Sequence, residues 1–211
     1  MSLVGLVVDV HRRLSEESLP HAFGGALALA YVAEPRGTVD VDVNVFRPAN
    51  EIGTILTVLA GIGLQPEREE GNWLPAAGIR VRRSADPYPV DVFPSLDERY
   101  AEIEQRRQRH RFGDGGVVLP FLSAEDLALF KLSFGRDKDW MDLRAMATAR
   151  PDLDVEYVER QLIGLRGPAM YPRLARLRSL LRAAQERAPR PGSPPVLGGR
   201  RRRCGPPPTT T

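Results

Sequence analysis

Apolar residues return every three to four positions at the start of the chain, where Leu3, Leu6, Val7, Val10 and Leu14 share one face of a predicted helix that Pro20 closes off. The pattern then changes period. HAFGGALALAYV from position 21 reads as a short strand, a Gly-Gly turn and a helix of small residues, and TVDVDVNVF from position 38 alternates strictly. Val39, Val41, Val43 and Val45 fall on one face of that strand, with Thr38, Asp40, Asp42 and Asn44 on the other. Residues 50–61 suit a helix ending at Gly61, and residues 78–83 and 88–93 suit two further strands. A segment at 115–122 adds a short strand, expected at a sheet edge because it contains Pro120.

From Ser123 onward the pattern is helical. Ser123 and Asp126 resemble a capping box, and the helix they open presents Leu127, Phe130, Lys131 and Phe134 before Gly135 interrupts it. Trp140–Ala149 suits another helix. Val155, Val158, Leu162 and Leu165 line the next, and Leu174, Leu177, Leu180 and Leu181 line the last. The expected class is α+β: a mixed sheet flanked by helices over residues 1–122, a helical part over 123–187 packed on it, and a disordered tail over 188–211. The tail's seven prolines and four glycines leave too little apolar surface to offset chain entropy.

Charge changes this picture only after the chain is divided. The whole carries 30 bases against 27 acids and a net charge of +3, but five arginines and no acid lie in the tail. Residues 1–187 therefore hold 25 bases and 27 acids, and a basic surface spread over the whole body is excluded. The tail's Arg200–Arg203 run is either an RNA-phosphate contact or an incidental solvated extension. Cys204 is the single cysteine, so no disulfide framework or cysteine zinc site is expected. Leu3–Val8 is too short an apolar run to span a bilayer, so a cytoplasmic protein without membrane attachment is expected. Of the 30 bases only Lys131 and Lys138 are lysines, a pair of compact ammonium groups suited to phosphate as point charges.

The candidate chemistry is in the acids. Asp40 and Asp42 share a strand face with Cα atoms about 6–7 Å apart, in a conformation aspartate disfavours. They are either a solvated strand face or a site for a hard divalent cation such as Mg²⁺, shared with substrate phosphates. Gly24-Gly25 before a helix lets backbone N–H groups approach an oxyanion, or is simply a tight turn. Asp91, flanked by Val90 and Val92, repeats the anomaly of an acid among valines. If its strand lies beside that of Asp40, three carboxylates converge, enough to hold two Mg²⁺ ions and activate a hydroxyl for displacement at phosphorus.

FGG at 23–25, TVDVDV at 38–43 and the later strand acid together resemble the signature of the nucleotidyltransferase superfamily with the DNA-polymerase-β-like fold. LSAEDLALFKLSFGRDKDWMDLRAM at 122–146 resembles the helical segment of the AbiEii/MenT-like nucleotidyltransferases, toxins of type IV toxin–antitoxin pairs. The resemblance covers roughly residues 20–150; fourteen residues separate Gly25 from Asp40, slightly more than the superfamily's general spacing. It implies that Gly24 and Gly25 hold an NTP with Thr38 nearby, and that Asp40, Asp42 and Asp91 form the Mg²⁺ and catalytic set, Asp91 orienting or deprotonating the acceptor hydroxyl. Lys131 would neutralise the triphosphate, assisted by Arg136 and Lys138. Asp139 and Asp142 would orient Lys131 or Arg136, or else form a solvated helix face with surface ion pairs. The implied acceptor is RNA, especially a tRNA 3′ end, and a cognate antitoxin is an implied partner. A protein hydroxyl, an aminoglycoside-type small molecule, or a nucleotide-binding module without turnover are the alternatives. His11, His21 and His110 are read as isolated, without a ligand role, and Trp73 and Trp140 as packing residues.

Overall fold

A computed structural model of the chain describes residues 2–68, 78–84 and 86–187. The expected tail with Cys204, and Trp73, lie outside the described residues. The elements in chain order are α1 (Leu3–Glu16), β1 (His21–Phe23), α2 (Gly25–Leu29), β2 (Val41–Pro48), α3 (Ile52–Ala60), β3 (Gln65–Pro66), β4 (Ile79–Arg82) and β5 (Val90–Ser95). There follow α4 (Tyr100–Gln105), β6 (Gln108–Phe112), β7 (Val117–Phe121), α5 (Ala124–Phe134), α6 (Asp137–Ala149), α7 (Val155–Arg166) and α8 (Tyr171–Arg187). The strands form one mixed sheet in the order β3-β4-β5-β2-β1-β7-β6. This is the α+β class with a mixed sheet and flanking helices.

The valine ladder of β2 explains why that strand is central. Val41, Val43 and Val45 are fully buried on one face, and β2 pairs antiparallel with β1 and parallel with β5. The β2–β5 register sets Val41 beside Val90, Asp42 beside Asp91 and Asn44 beside Phe93. The acids therefore share the sheet face opposite the valines. A single buried apolar cluster runs from Leu6 to Leu181, including Leu127 and Leu132 of α5, Leu143 of α6 and Leu162 of α7, so the sheet and the C-terminal helices share one core. Among the described residues no helix is long and apolar enough to cross a membrane.

Three expectations are corrected. The strand expected from Thr38 begins only at Val41, and Val39 is 73% exposed. Thr38 Oγ1 donates to the Asp40 carboxylate at 2.7 Å and to the Asp40 carbonyl at 3.1 Å, a local turn that competes with the ladder. The strand containing Pro120 is not an edge: β7 lies between β1 and β6. β1 meets β7 only at the Phe23–Phe121 pair, so Pro120 is not asked to bond along that side. The histidines are not isolated either. His11 Nδ1 and His21 Nε2 are 2.9 Å apart, and His110 stacks on Tyr31 with ring centroids 4.4 Å apart.

Candidate active site

The acid face of β2 is roofed by α2, α5 and the start of α6, and a cavity lies between. Its wall contains Gly24, Gly25, Arg36, Asp40, Asp42, Asn44, Lys131, Arg136, Lys138 and Asp139, with Phe93, Leu122, Leu127, Phe130 and Phe134 at its apolar end. The sequence places these residues on five separate stretches of chain, at 24–25, 36, 40–44, 93 and 122–139, and the sheet order brings them together.

Gly25 shows how tightly the acids are packed. Its φ is +54°, and a Cβ built there would fall 1.8 Å from Oδ2 of Asp42. Only glycine leaves room for that carboxylate while taking this left-handed conformation without penalty. Gly24 N–H donates to the Asp42 carbonyl at 2.9 Å, which fixes the turn on β2. Ala22 and Phe23 of β1 register with Asn44 and Val43, so the Gly-Gly turn cannot slide along the strand.

Five acids were singled out in the sequence, and the structure sorts them into two kinds. Asp91 is held by Arg80 of β4, the residue directly opposite it in the ladder, through Nε–Oδ1 at 2.7 Å and Nη2–Oδ2 at 2.6 Å. Asp139 caps α6, accepting from the Arg136 backbone N–H at 3.0 Å and from its Nε at 2.8 Å. Asp142, buried, accepts from Arg36 Nε at 2.8 Å and Nη2 at 2.9 Å, and from Lys131 Nζ at 2.5 Å. Burial alone would push Asp142 up, but the hydrogen bonds from Arg36 and Lys131 hold it below the ordinary carboxylate range. Asp40 and Asp42 are different. Neither has an ion-pair partner among the described residues, and Asp40 is bonded only by Thr38.

That leaves Asp42 in an unfavourable position for a carboxylate. Burial first, then the negative charges of Asp40 and Asp91, push it up to about 6, against a smaller opposing pull from Lys131 and Lys138. Two neighbouring carboxylates that lack cationic partners and open onto a cavity fit a hard divalent cation shared with phosphate oxygens. The three-acid arrangement expected from sequence is corrected in one respect. Asp91 registers with Asp42, but Arg80 occupies both its oxygens and it is not in the cavity wall. Among the described residues no three metal-ligating side chains are grouped for a metal.

The opposite wall is cationic. Lys131 is almost fully buried, and the bond to Asp142 uses one of its three N–H donors. Lys138, exposed at the start of α6, has no ion-pair partner among the described residues. Two wall residues were not singled out from sequence. Arg36 lies in the loop before β2, where no periodicity marks it. Asn44 was legible in principle, being the next polar position after Asp42 on the same strand face.

No family model matches the chain, and no curated protein matches it in sequence. Solved structures do match it in shape. The solution structure of the antibiotic-resistance factor ANT(2'')-Ia aligns over 82% of this chain and 95% of its own, at 18% identity and a TM-score of 0.53. The chain has the nucleotidyltransferase fold. A lincomycin-bound lincosamide antibiotic adenylyltransferase, LnuA, aligns over 68% of this chain and 93% of its own at 12% identity and a TM-score of 0.47. An antigenic nucleotidyltransferase-like protein from Paracoccidioides brasiliensis aligns over 86% and 92% at 17% identity and a TM-score of 0.49. At these identities the likeness concerns the fold, and the chemistry must be argued from this chain's own cavity.

Proposed function

We propose that this protein is a Mg²⁺-dependent nucleotidyltransferase that moves a nucleoside monophosphate from an NTP to an acceptor hydroxyl. The observation that carries the reading is the unpaired Asp40–Asp42 couple facing a cationic wall across one cavity. Asp40 and Asp42 would hold Mg²⁺, which when bound neutralises phosphate oxygens and the charge that builds on them during transfer. Gly24 and Gly25 admit the triphosphate close to the backbone, with Thr38 fixing Asp40 beside it. Lys138 and the free N–H groups of Lys131 neutralise the departing phosphates, with Arg136 adjacent. Arg36, Asp139 and Asp142 hold these cations in place. The acceptor oxygen attacks the α-phosphorus, the bond to the β-phosphate breaks, and pyrophosphate leaves. Asp91 takes the hydroxyl proton once Arg80 yields one of its oxygens.

For the acceptor we infer an RNA 3′ hydroxyl, especially of tRNA, on the resemblance of residues 122–146 to the AbiEii/MenT-like toxins; a cognate antitoxin belongs to the same reading. A small-molecule acceptor is the second reading, favoured by the fold likeness to ANT(2'')-Ia. Incubation with each α-labelled NTP, Mg²⁺ and total RNA separates them. Label on RNA, lost in Asp40→Ala, supports the first; label only on an added aminoglycoside supports the second. Transfer to neither RNA, protein nor aminoglycoside by the folded protein refutes the enzyme reading.

A further inference from the structure

The outer surface of the helical part carries a groove separate from the cavity of Asp40 and Asp42. It runs between α6 and α8 as two hollows that share Arg144 and Thr148. On α6, Trp140, Met141, Arg144, Ala145 and Thr148 recur at steps of three and four residues, so one stripe of that helix lines the groove. On α8, Arg176, Leu180, Ala183, Ala184 and Arg187 do the same. From Asp137 to Thr148, and from Arg176 to Arg187, each stripe spans about three turns, so the groove is about 16 Å long.

Its floor is apolar and small. Ala145, Ala183 and Ala184 leave room above it, Leu180 is half-buried, and Met141 beside them is 72% exposed. Thr148 Oγ1 donates to the Arg144 carbonyl at 3.0 Å, so the one hydroxyl lining the groove is satisfied within its own helix. Covering the floor therefore strands no polar side chain there. The rim is cationic. Arg144 and Arg187 have no ion-pair partner among the described residues, and Arg176 lies 3.9 Å over the Trp140 ring rather than on an acid. Among the described residues the one acid in the walls is Asp137, at the end where α6 meets the active site.

We propose that this groove docks an acidic amphipathic helix of a partner protein. The inference stands apart from the nucleotidyltransferase reading. A third helix laid along two packed helices buries one apolar stripe, with anchors at i, i+3, i+4 and i+7. Glutamates flanking that stripe would meet Arg144, Arg176 and Arg187, while the floor and Met141 take its apolar side chains. Tryptophan, methionine and arginine are enriched at protein interfaces. Other occupants fit less well. Residues 188–211 of this chain carry five arginines and no acid, and a second copy docked through the same groove would set arginine against arginine. RNA would meet the arginines, but the Trp140 ring that could stack a base already carries Arg176, and the floor offers a base no hydrogen bond.

The test measures fluorescence anisotropy of labelled peptides on the full chain. The probe is a capped peptide of about 14 residues with leucine and alanine on one face, glutamate flanking that face and glutamine behind it. Its controls are a scrambled sequence of the same composition and a version with lysine for glutamate. The probe is expected to bind with a Kd below about 100 μM and at least about tenfold more tightly than either control. Met141→Glu and Arg144→Glu, both at exposed positions, should each weaken it by about tenfold or more, and Arg144→Glu should gain affinity for the lysine version. Label transfer should be the same in both variants as in the natural chain, so the enzyme reading and this one fail separately. The proposal is overturned if the probe does not bind, if the scrambled peptide binds as well, or if neither variant weakens it. It is also overturned if a peptide of residues 188–211 or a single-stranded RNA of about 12 nucleotides displaces the probe at equal concentration. A dimer of the natural chain that Met141→Glu dissociates would assign the groove to a second copy instead.

Discussion

Replacing Asp42 by Asn should stabilise the protein while abolishing transfer, and the size of the gain follows from the charges around it. Burial and the Asp40 and Asp91 carboxylates raise Asp42 from 3.8 to about 6. At about 1.4 kcal/mol per pH unit the ionised group is disfavoured in the folded state by about 3 kcal/mol, and we expect about 2 once salt screens Asp40. Because the folded value lies above the unfolded one, stability falls as pH rises from 3.8 through about 6 and stays low above that. Asn does not ionise and escapes the loss. Urea unfolding in EDTA should therefore find Asp42→Asn more stable by about 2 kcal/mol at pH 7.5, with the difference shrinking to about half a kcal/mol near pH 4. Added Mg²⁺ should raise the melting temperature of the natural protein and leave the variant's nearly unchanged, since only the former binds it in the folded state. A variant less stable than the natural chain at pH 7.5, or a difference that does not change with pH, would refute the account of Asp42 as an uncompensated acid.

The paired acids should respond in the opposite sense. Asp142→Leu strands the Lys131 ammonium, whose side chain is only 5% exposed, and should cost about 3 kcal/mol in urea unfolding. Arg36, 37% exposed, adds little to that figure. Adding Lys131→Met should restore most of the loss, and strictly additive single costs would show that the pair is not coupled. Gly25→Ala should lose label transfer by more than about a hundredfold, because its methyl must displace the Asp42 carboxylate, at a folding cost of about 1–2 kcal/mol for the left-handed backbone; undiminished transfer contradicts the packing. His21 is pushed down to about 4, by burial first and then by His11, Arg107 and Arg109, against the opposing bond to the Leu19 carbonyl. Its folded value lies below the unfolded 6.5, so its stabilisation is complete above 6.5 and is lost as pH falls toward 4. Relative to His21→Gln, the natural chain should lose about 3 kcal/mol across that window, and parallel pH profiles would count against a buried neutral imidazole.

How much of this was legible in the chain differs by feature. The valine alternation gave β2 and its burial because period-two patterning survives wherever one face is covered. β6 was missed. Its Gln-Arg-His-Arg-Phe sequence lies on a charged sheet edge with no fully buried position, so no apolar alternation is written into it. α4 was missed for a related reason: only Tyr100 and Ile103 of its six residues are buried. The acids of the site were found wherever they broke a pattern, as Asp40 and Asp42 of the cavity wall and Asp91 beside them in the sheet did among valines. Arg36 breaks none, since arginine in a loop is ordinary until Asp142, 106 residues later, is brought against it.

Pairing is the property that sequence withheld most completely, because it depends on neighbours distant along the chain. Asp42 and Asp91 look alike as acids flanked by valines, yet the β4–β5 register sets an arginine opposite one and the β1–β2 register sets a glycine turn over the other. The consequence is a division of labour in charge. Asp91, Asp139 and Asp142 are each answered by an arginine or lysine, and the last two so fix Arg136, Lys131 and Arg36 in the cavity wall. Among the described residues Asp40 and Asp42 are answered by none, so the stability of the shared core has to carry their repulsion. On the proposed function, a cation that neutralised them would bind with free energy the fold has already invested, so the same two residues that weaken the fold would be the ones that make metal and triphosphate binding favourable.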